Sequence, residues 1–363
     1  MDDLRLKLLD RMWQRWMQPR FERMPDREAA HTWTIQQLKL LQERRLLPFV
    51  RLLCQGPENN RPLLVGGATL KNPFVLPAGF DKHCEVLAAL DALGVGAAVG
   101  GTIVPAAQPG NDGQRVFIYP HIRGAGNRYG FNSVGEHRAS VNAAACELAR
   151  IRASIGYSVG PNKDTPKDAK HVAADCLSAM RAFRALYRPG KDFFEINISS
   201  PNTAGLRDLF DEIEELLGRI REGSRSLFGQ HVLLWLKIPP DGMTDAALMR
   251  IMSAMHLAQF SCLVSGNTTA DTKLKATYGI TDPGGVSGQP LFELANDVLA
   301  RVAAFNSDGV DIVAVGGITR PPDVAAKRLI GWPHVRAFGV YTGLIFEGPS
   351  LIRRSLRAWE RAA

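Results

Sequence analysis

A chain of 363 residues with 45% hydrophobic and 22% charged residues has material for a sizeable core, and no apolar run approaches the ~18 residues that would span a bilayer. The five cysteines, Cys54, Cys84, Cys146, Cys176 and Cys262, are odd in number and never paired as CxxC, which argues against a disulfide framework or a zinc site and fits a reducing compartment. The net charge of +8 is uneven: residues 1–52 hold 11 Lys+Arg against 7 Asp+Glu, half of the excess, and the first turns carry no secretory cleavage signature.

In chain order, Leu4, Leu6, Leu8, Leu9, Met12, Trp13, Trp16 and Met17 recur near helical spacing with Arg5, Lys7, Arg11 and Arg15 among them, the pattern of a basic amphipathic helix. Further helices are expected over 27–41 and 46–53. Such a set is either a helical cap docked on the main domain or a helix pair lying on a bilayer, with an apolar slot admitting a lipid-soluble molecule. The turn-rich run from Gly56 to Arg61 marks a boundary, giving an extension over 1–61 and a main domain over 62–363.

Beyond it the chain alternates. Strands are expected over 74–78, 96–100, 155–159, 193–198, 232–236, 262–265, 312–315 and 335–340, with helices over 169–186, 244–257, 291–304 and 349–361 between or after them. Eight strands in a βα rhythm predict an α/β fold, a closed (β/α)8 TIM barrel in preference to an open doubly wound sheet. Gly94-Val95-Gly96 precedes a strand instead of opening a helix, so it is no dinucleotide fingerprint.

The fourth strand ends in Asn197-Ile198-Ser199-Ser200-Pro201-Asn202, so amides and hydroxyls gather at the C-terminal end of a strand, where α/β barrels keep their chemistry; the same residues also serve as ordinary caps and turns. Glycine clusters follow strands six, seven and eight, at Gly284 to Gly288, Gly316-Gly317 and Gly343. Backbone without side chains lets N–H groups converge on an anion, and the phosphate of a flavin mononucleotide or of a sugar would fit. Lys237 ends the fifth strand, where burial needs an anion beside it; a reduced flavin and a Schiff base are both open. Asn127, Asn197, Asn202 and Asn267 would converge on a planar ligand edged with C=O and N–H groups, such as a cyclic imide or pyrimidine.

These residues resemble the class 2, quinone-dependent dihydroorotate dehydrogenase family. The resemblance runs through AGFDK (78–82), QPGN (108–111), RVF (115–117), NRYGFNS (127–133), NKDTP (162–166), EINISSPNTAGLRDL (195–209), LKIPPD (236–241), NTT (267–269), GGVSGQPL (284–291), VGGI (315–318) and YTGLIFEGP (341–349), and PDREAAHTWTIQQL (25–38) is similar to that class's helical extension. It implies an FMN enzyme that oxidises (S)-dihydroorotate to orotate in pyrimidine biosynthesis, with a quinone as electron acceptor and no nucleic-acid partner. It also implies a peripheral position on the cytoplasmic face of the inner membrane.

Residue by residue, the resemblance makes Ser200 the base for the C5 proton, with Thr203 and Phe131 shaping its relay. Lys82, Asn127, Asn197, Asn202, Asn267 and Thr268 would meet the substrate. Flavin positions fall on Ala78, Gly79, Lys82, Thr102, Ser158, Asn197 and Lys237, and on Gly266, Ser287, Gly288, Gly316, Gly317, Tyr341 and Thr342. His31, Ile118 and Tyr341 fall on the quinone tunnel. Departures cluster away from the substrate: Ile118 stands for an arginine facing the quinone, Ser158 for an asparagine on the flavin, Gly266 for a threonine, Pro161 for a lysine, Cys84 for a glycine and Val104 for a threonine. They motivate two alternatives, a related FMN oxidoreductase acting on another small cyclic or amide substrate in a specialised pathway, and a barrel that has lost turnover.

Overall fold

The computed structural model describes residues 2–24 and 26–361; Pro25 of the 25–38 run, Met1, Ala362 and Ala363 lie outside the described residues. Eight parallel strands close into a barrel: Phe74–Asp81, Ala97–Ile103, Ser154–Val159, Phe193–Asn197, Leu234–Ile238, Cys262–Ser265, Asp311–Val315 and Val335–Gly339, the last pairing back onto the first through Phe338 and Phe74. Each expected strand forms, with ends that move by up to three residues. Helices Ala169–Ala182, Ile213–Phe228, Asp245–Leu257, Phe292–Phe305 and Pro321–Ile330 pack outside. Alternation along each strand divides the core in two. One set, including Val99, Phe193, Trp235, Val264 and Val313, fills the barrel interior, and the other meets the helices.

Two small sheets fall where the sequence reads as turn or loop. The hairpin Leu63–Val65 and Ala68–Leu70, joined through Gly66 and Gly67 at positive φ, plugs the N-terminal end of the barrel with Val65, Ala68 and Leu70 fully buried. Trp235, stacked on Phe193 with ring centroids 3.5 Å apart, donates its Nε1–H to Gly66 O at 3.3 Å. The barrel is thereby sealed below and open only above. Over that open end lies an antiparallel sheet of Val116–Tyr119, Gly124–Asn127 and Gly285–Gly288, which carries Asn127 inward.

The N-terminal residues form one helical run, Asp2–Met12 continuing through a π turn at Trp13–Met17 into Gln18–Glu22, followed by Arg27–Glu43 and Leu47–Cys54. Asp26 caps the second helix by accepting the Glu28 N–H at 2.9 Å. Polar contacts dock these helices on the barrel rim. Gln42 donates to Glu85 O at 2.9 Å and accepts from the Ala89 N–H at 2.9 Å; Arg51 pairs with the buried Asp91 at 2.9 Å; Trp13 Nε1–H donates to Phe346 O at 3.2 Å.

Candidate active site

One cavity of about 560 Å³ runs from the barrel mouth out between the N-terminal helices, a size that suits a cofactor and its substrate. Its floor is built where strand four stops. Asn197 is 4% exposed and sits in register beside Lys237 of strand five; the turn then places Ser200 in the cavity lining with Ser199 buried beside it. The Lys237 ammonium lies 3.9 Å from Glu195 Oε1, and both side chains are buried, so the carboxylate below offsets the cost of holding a cation at the cavity floor.

The four asparagines come together, each held by a hydrogen bond. Asn202 Nδ2 donates to Asn127 O and Asn127 Oδ1, both at 3.1 Å; Asn267 Nδ2 donates to Ser199 Oγ at 2.9 Å; Asn197 Nδ2 donates to Thr102 Oγ1 at 2.7 Å. All four line the cavity, as do Thr268, Phe131, Lys82 and Ser200. Ser200 Oγ accepts the Asn202 N–H at 3.2 Å. Thr203 stands behind this surface, its Oγ1 buried without a protein partner among the described residues.

Also lining the cavity are Ala78, Gly79, Thr102, Ser287, Gly288, Gly316, Gly317 and Thr342. Gly317 has φ +80, and a Cβ there would run into the Phe292 backbone; only a bare main chain fits. Ser287 and Thr342 join through their hydroxyls at 2.9 Å. Two expected wall residues are set back. Ser158 is fully buried behind Thr102, hydroxyl to hydroxyl at 3.1 Å, because its side chain is too short to reach past it; Gly266 packs on Val315 O at φ +135.

Toward the helices the lining turns apolar. His31, Phe80 and Tyr341 form a chain of edge-to-face rings, with centroids 5.6 Å and 5.8 Å apart. Burial, reinforced by the nearby Lys82 charge, lowers the His31 imidazole from 6.5 to about 4, so the ring is neutral and its Nε2–H donates to Phe80 O at 2.7 Å. Burial likewise holds the Lys82 ammonium well below its ordinary range; it lies over the Tyr129 ring and donates to Asn132 Oδ1 at 3.2 Å. Ile118 and Val116 of the covering sheet line the outer part, with Leu9, Trp13 and Phe21.

The family description "Dihydroorotate dehydrogenase" matches residues 63–360. The chain belongs to the dihydroorotate dehydrogenase family. It is 35% identical over 339 residues to a dihydroorotate dehydrogenase (quinone) of Azoarcus sp. (strain BH72), covering 92% of this chain and 94% of that protein. It is also 35% identical over 306 residues to one of Flavobacterium lutescens, covering 83% and 84%. Among solved structures, DHODH from Eimeria tenella in complex with ferulenol superposes with a TM-score of 0.78 at 26% identity, covering 93% of this chain and 91% of that one. Three residues at or beside the cavity were not singled out in the sequence: Phe80 and Tyr129 stand inside AGFDK and NRYGFNS, and Ser199 stands next to Ser200.

Proposed function

We infer that this chain is an FMN-dependent dihydroorotate dehydrogenase of the quinone-linked kind, oxidising (S)-dihydroorotate to orotate in pyrimidine biosynthesis. The observation that carries the reading is the continuity of one cavity from Ser200 and the four asparagines to the apolar slot between the N-terminal helices. A buried polar end suits a small cyclic imide, and an apolar end between the N-terminal helices suits a quinone. The relatives that match over most of their own length bear the name dihydroorotate dehydrogenase (quinone).

A flavin mononucleotide fits the residues present. The wall of Gly288, Gly316 and Gly317 leaves no room for side chains and offers main-chain N–H groups to a phosphate, and Lys237 supplies a fixed positive charge at the other end. When bound, the flavin supplies a two-electron acceptor that the protein's own side chains lack. The protein supplies the rest. Oxidation takes a proton from C5 and a hydride from C6, forming the ring double bond; Ser200 takes the C5 proton, and the Asn202 N–H donated to its Oγ stabilises charge there. Asn127, Asn197, Asn202 and Asn267 with Thr268 hold the ring, while Thr203 and Phe131 border the path by which the serine proton leaves.

The N-terminal segment is read as a peripheral anchor on the cytoplasmic face of the inner membrane. Leu4, Leu8, Met12 and Trp16 are exposed on it beside Lys7, Arg11 and Arg15. No helix among the described residues is long and apolar enough to cross a membrane. With the arginine position of the tunnel taken by Ile118, His31 and Tyr341 are the tunnel positions that the resemblance retains.

The test is Ser200→Ala, followed by rapid-mixing absorbance under anaerobic conditions. Flavin reduction by dihydroorotate should slow by about 10²–10⁴-fold while orotate binding stays close to wild type. Near-normal reduction would reassign the base.

A further inference from the structure

Ser199 is fully buried, and its hydroxyl joins two of the cavity amides: it donates to Asn197 Oδ1 at 3.2 Å and accepts from Asn267 Nδ2 at 2.9 Å. Each amide direction is set by a group able to act in one way only. The Thr268 N–H can only donate, and it meets Asn267 at 2.8 Å, so Oδ1 is turned there and the NH2 faces Ser199. The Ser199 N–H meets Asn197 at 3.4 Å, so Oδ1 is on that side and the NH2 faces Thr102 Oγ1. Neither anchor is strong alone. The first joins sequence neighbours and lets the side chain swing, and the second is long. The hydroxyl closes both, serving one amide as donor and the other as acceptor.

With one N–H of each amide engaged, the second N–H of Asn197 and of Asn267 is left for the cavity. Turning either amide by half a revolution would exchange donor for acceptor with almost no change of shape, so packing alone cannot select the orientation. We propose that Ser199 is a positioning residue that locks the Asn197 and Asn267 amides so that the second N–H of each is left toward the substrate, and the site demands carbonyl acceptors on the ring. This rests on reading the cavity as a dihydroorotate site. Ser199 itself touches no reacting atom; it acts through the two amides.

The experiment titrates orotate, and analogues of orotate in which either ring carbonyl is replaced by an amino group, into flavin-loaded protein and follows the flavin absorbance. Wild type should prefer orotate. Ser199→Ala, at equal flavin content, should bind orotate about tenfold more weakly, and its preference over the amino analogues should narrow by a similar factor. In an Asn267→Ala background the same substitution should cost less, because one of its two targets is gone. An unchanged preference, or full additivity with Asn267→Ala, would overturn the proposal. Should Ser199→Ala lose flavin, Ser199→Thr, which keeps the hydroxyl, must retain the wild-type preference; losing it with the hydroxyl in place overturns the proposal as well. Wild-type protein that binds no orotate would instead overturn the substrate reading, so the two failures are told apart.

Discussion

A neutral imidazole at position 31 joins the helical segment to the barrel. In the unfolded chain His31 takes a proton near 6.5, whereas in the folded protein burial and the Lys82 charge delay this to about 4. Between those values the unfolded state binds more protons, so His31 lowers stability as pH falls through the window and costs nothing above it. Asp81 has the opposite sign, since burial raises its carboxyl to about 6, but it is common to any pair of His31 variants. His31→Gln should therefore gain melting temperature relative to wild type as pH is lowered from about 7 to about 4.5; parallel profiles would mean that the ring is protonated without penalty. The resemblance pointed to His31 and Tyr341, yet the ring between them, Phe80, carried no signal of its own. Its role is set by the two contacts it makes across segments far apart in the chain.

At the scale of elements, the first helix is divided by charge. Two of its acids are taken up by the C-terminal helix Ser350–Arg361, Asp3 by Arg357 at 2.7 Å and Asp10 by Ser350 and Arg354. The outer face carries Lys7, Arg11 and Arg15 among exposed apolar side chains. Each such cation near an anionic surface contributes about 1 kcal/mol. Reversing all three to Glu should weaken sedimentation with anionic vesicles by at least about tenfold and lower activity with a lipid quinone, leaving activity with a soluble dye unchanged; equal losses with both acceptors would mean that the helix only supports the fold. This helix was legible because its apolar residues recur at helical spacing over several turns. The Leu63–Val65 hairpin and the sheet through Gly124–Asn127 were not. Strands of three or four residues are too short to show a period, and Gly124, Gly126, Gly285 and Gly288 carry turn chemistry into strands where close neighbours leave little room for a side chain.

For the molecule as a whole, the barrel could be read from eight apolar runs in a βα rhythm, since each strand is buried on both faces. The list of strand-end residues was equally readable, because a closed barrel gathers every C-terminal end at one mouth. What the sequence does not hold is depth. Ser158 and Gly266 stand at strand ends like their neighbours but are set behind the cavity wall, and the wall's position depends on packing across strands. The cavity is proposed as a dihydroorotate site facing a flavin. Anaerobic titration of the purified yellow protein with dihydroorotate tests that directly: the flavin absorbance should bleach, with one orotate formed per flavin reduced. A flavin that dithionite bleaches but dihydroorotate leaves untouched would contradict it.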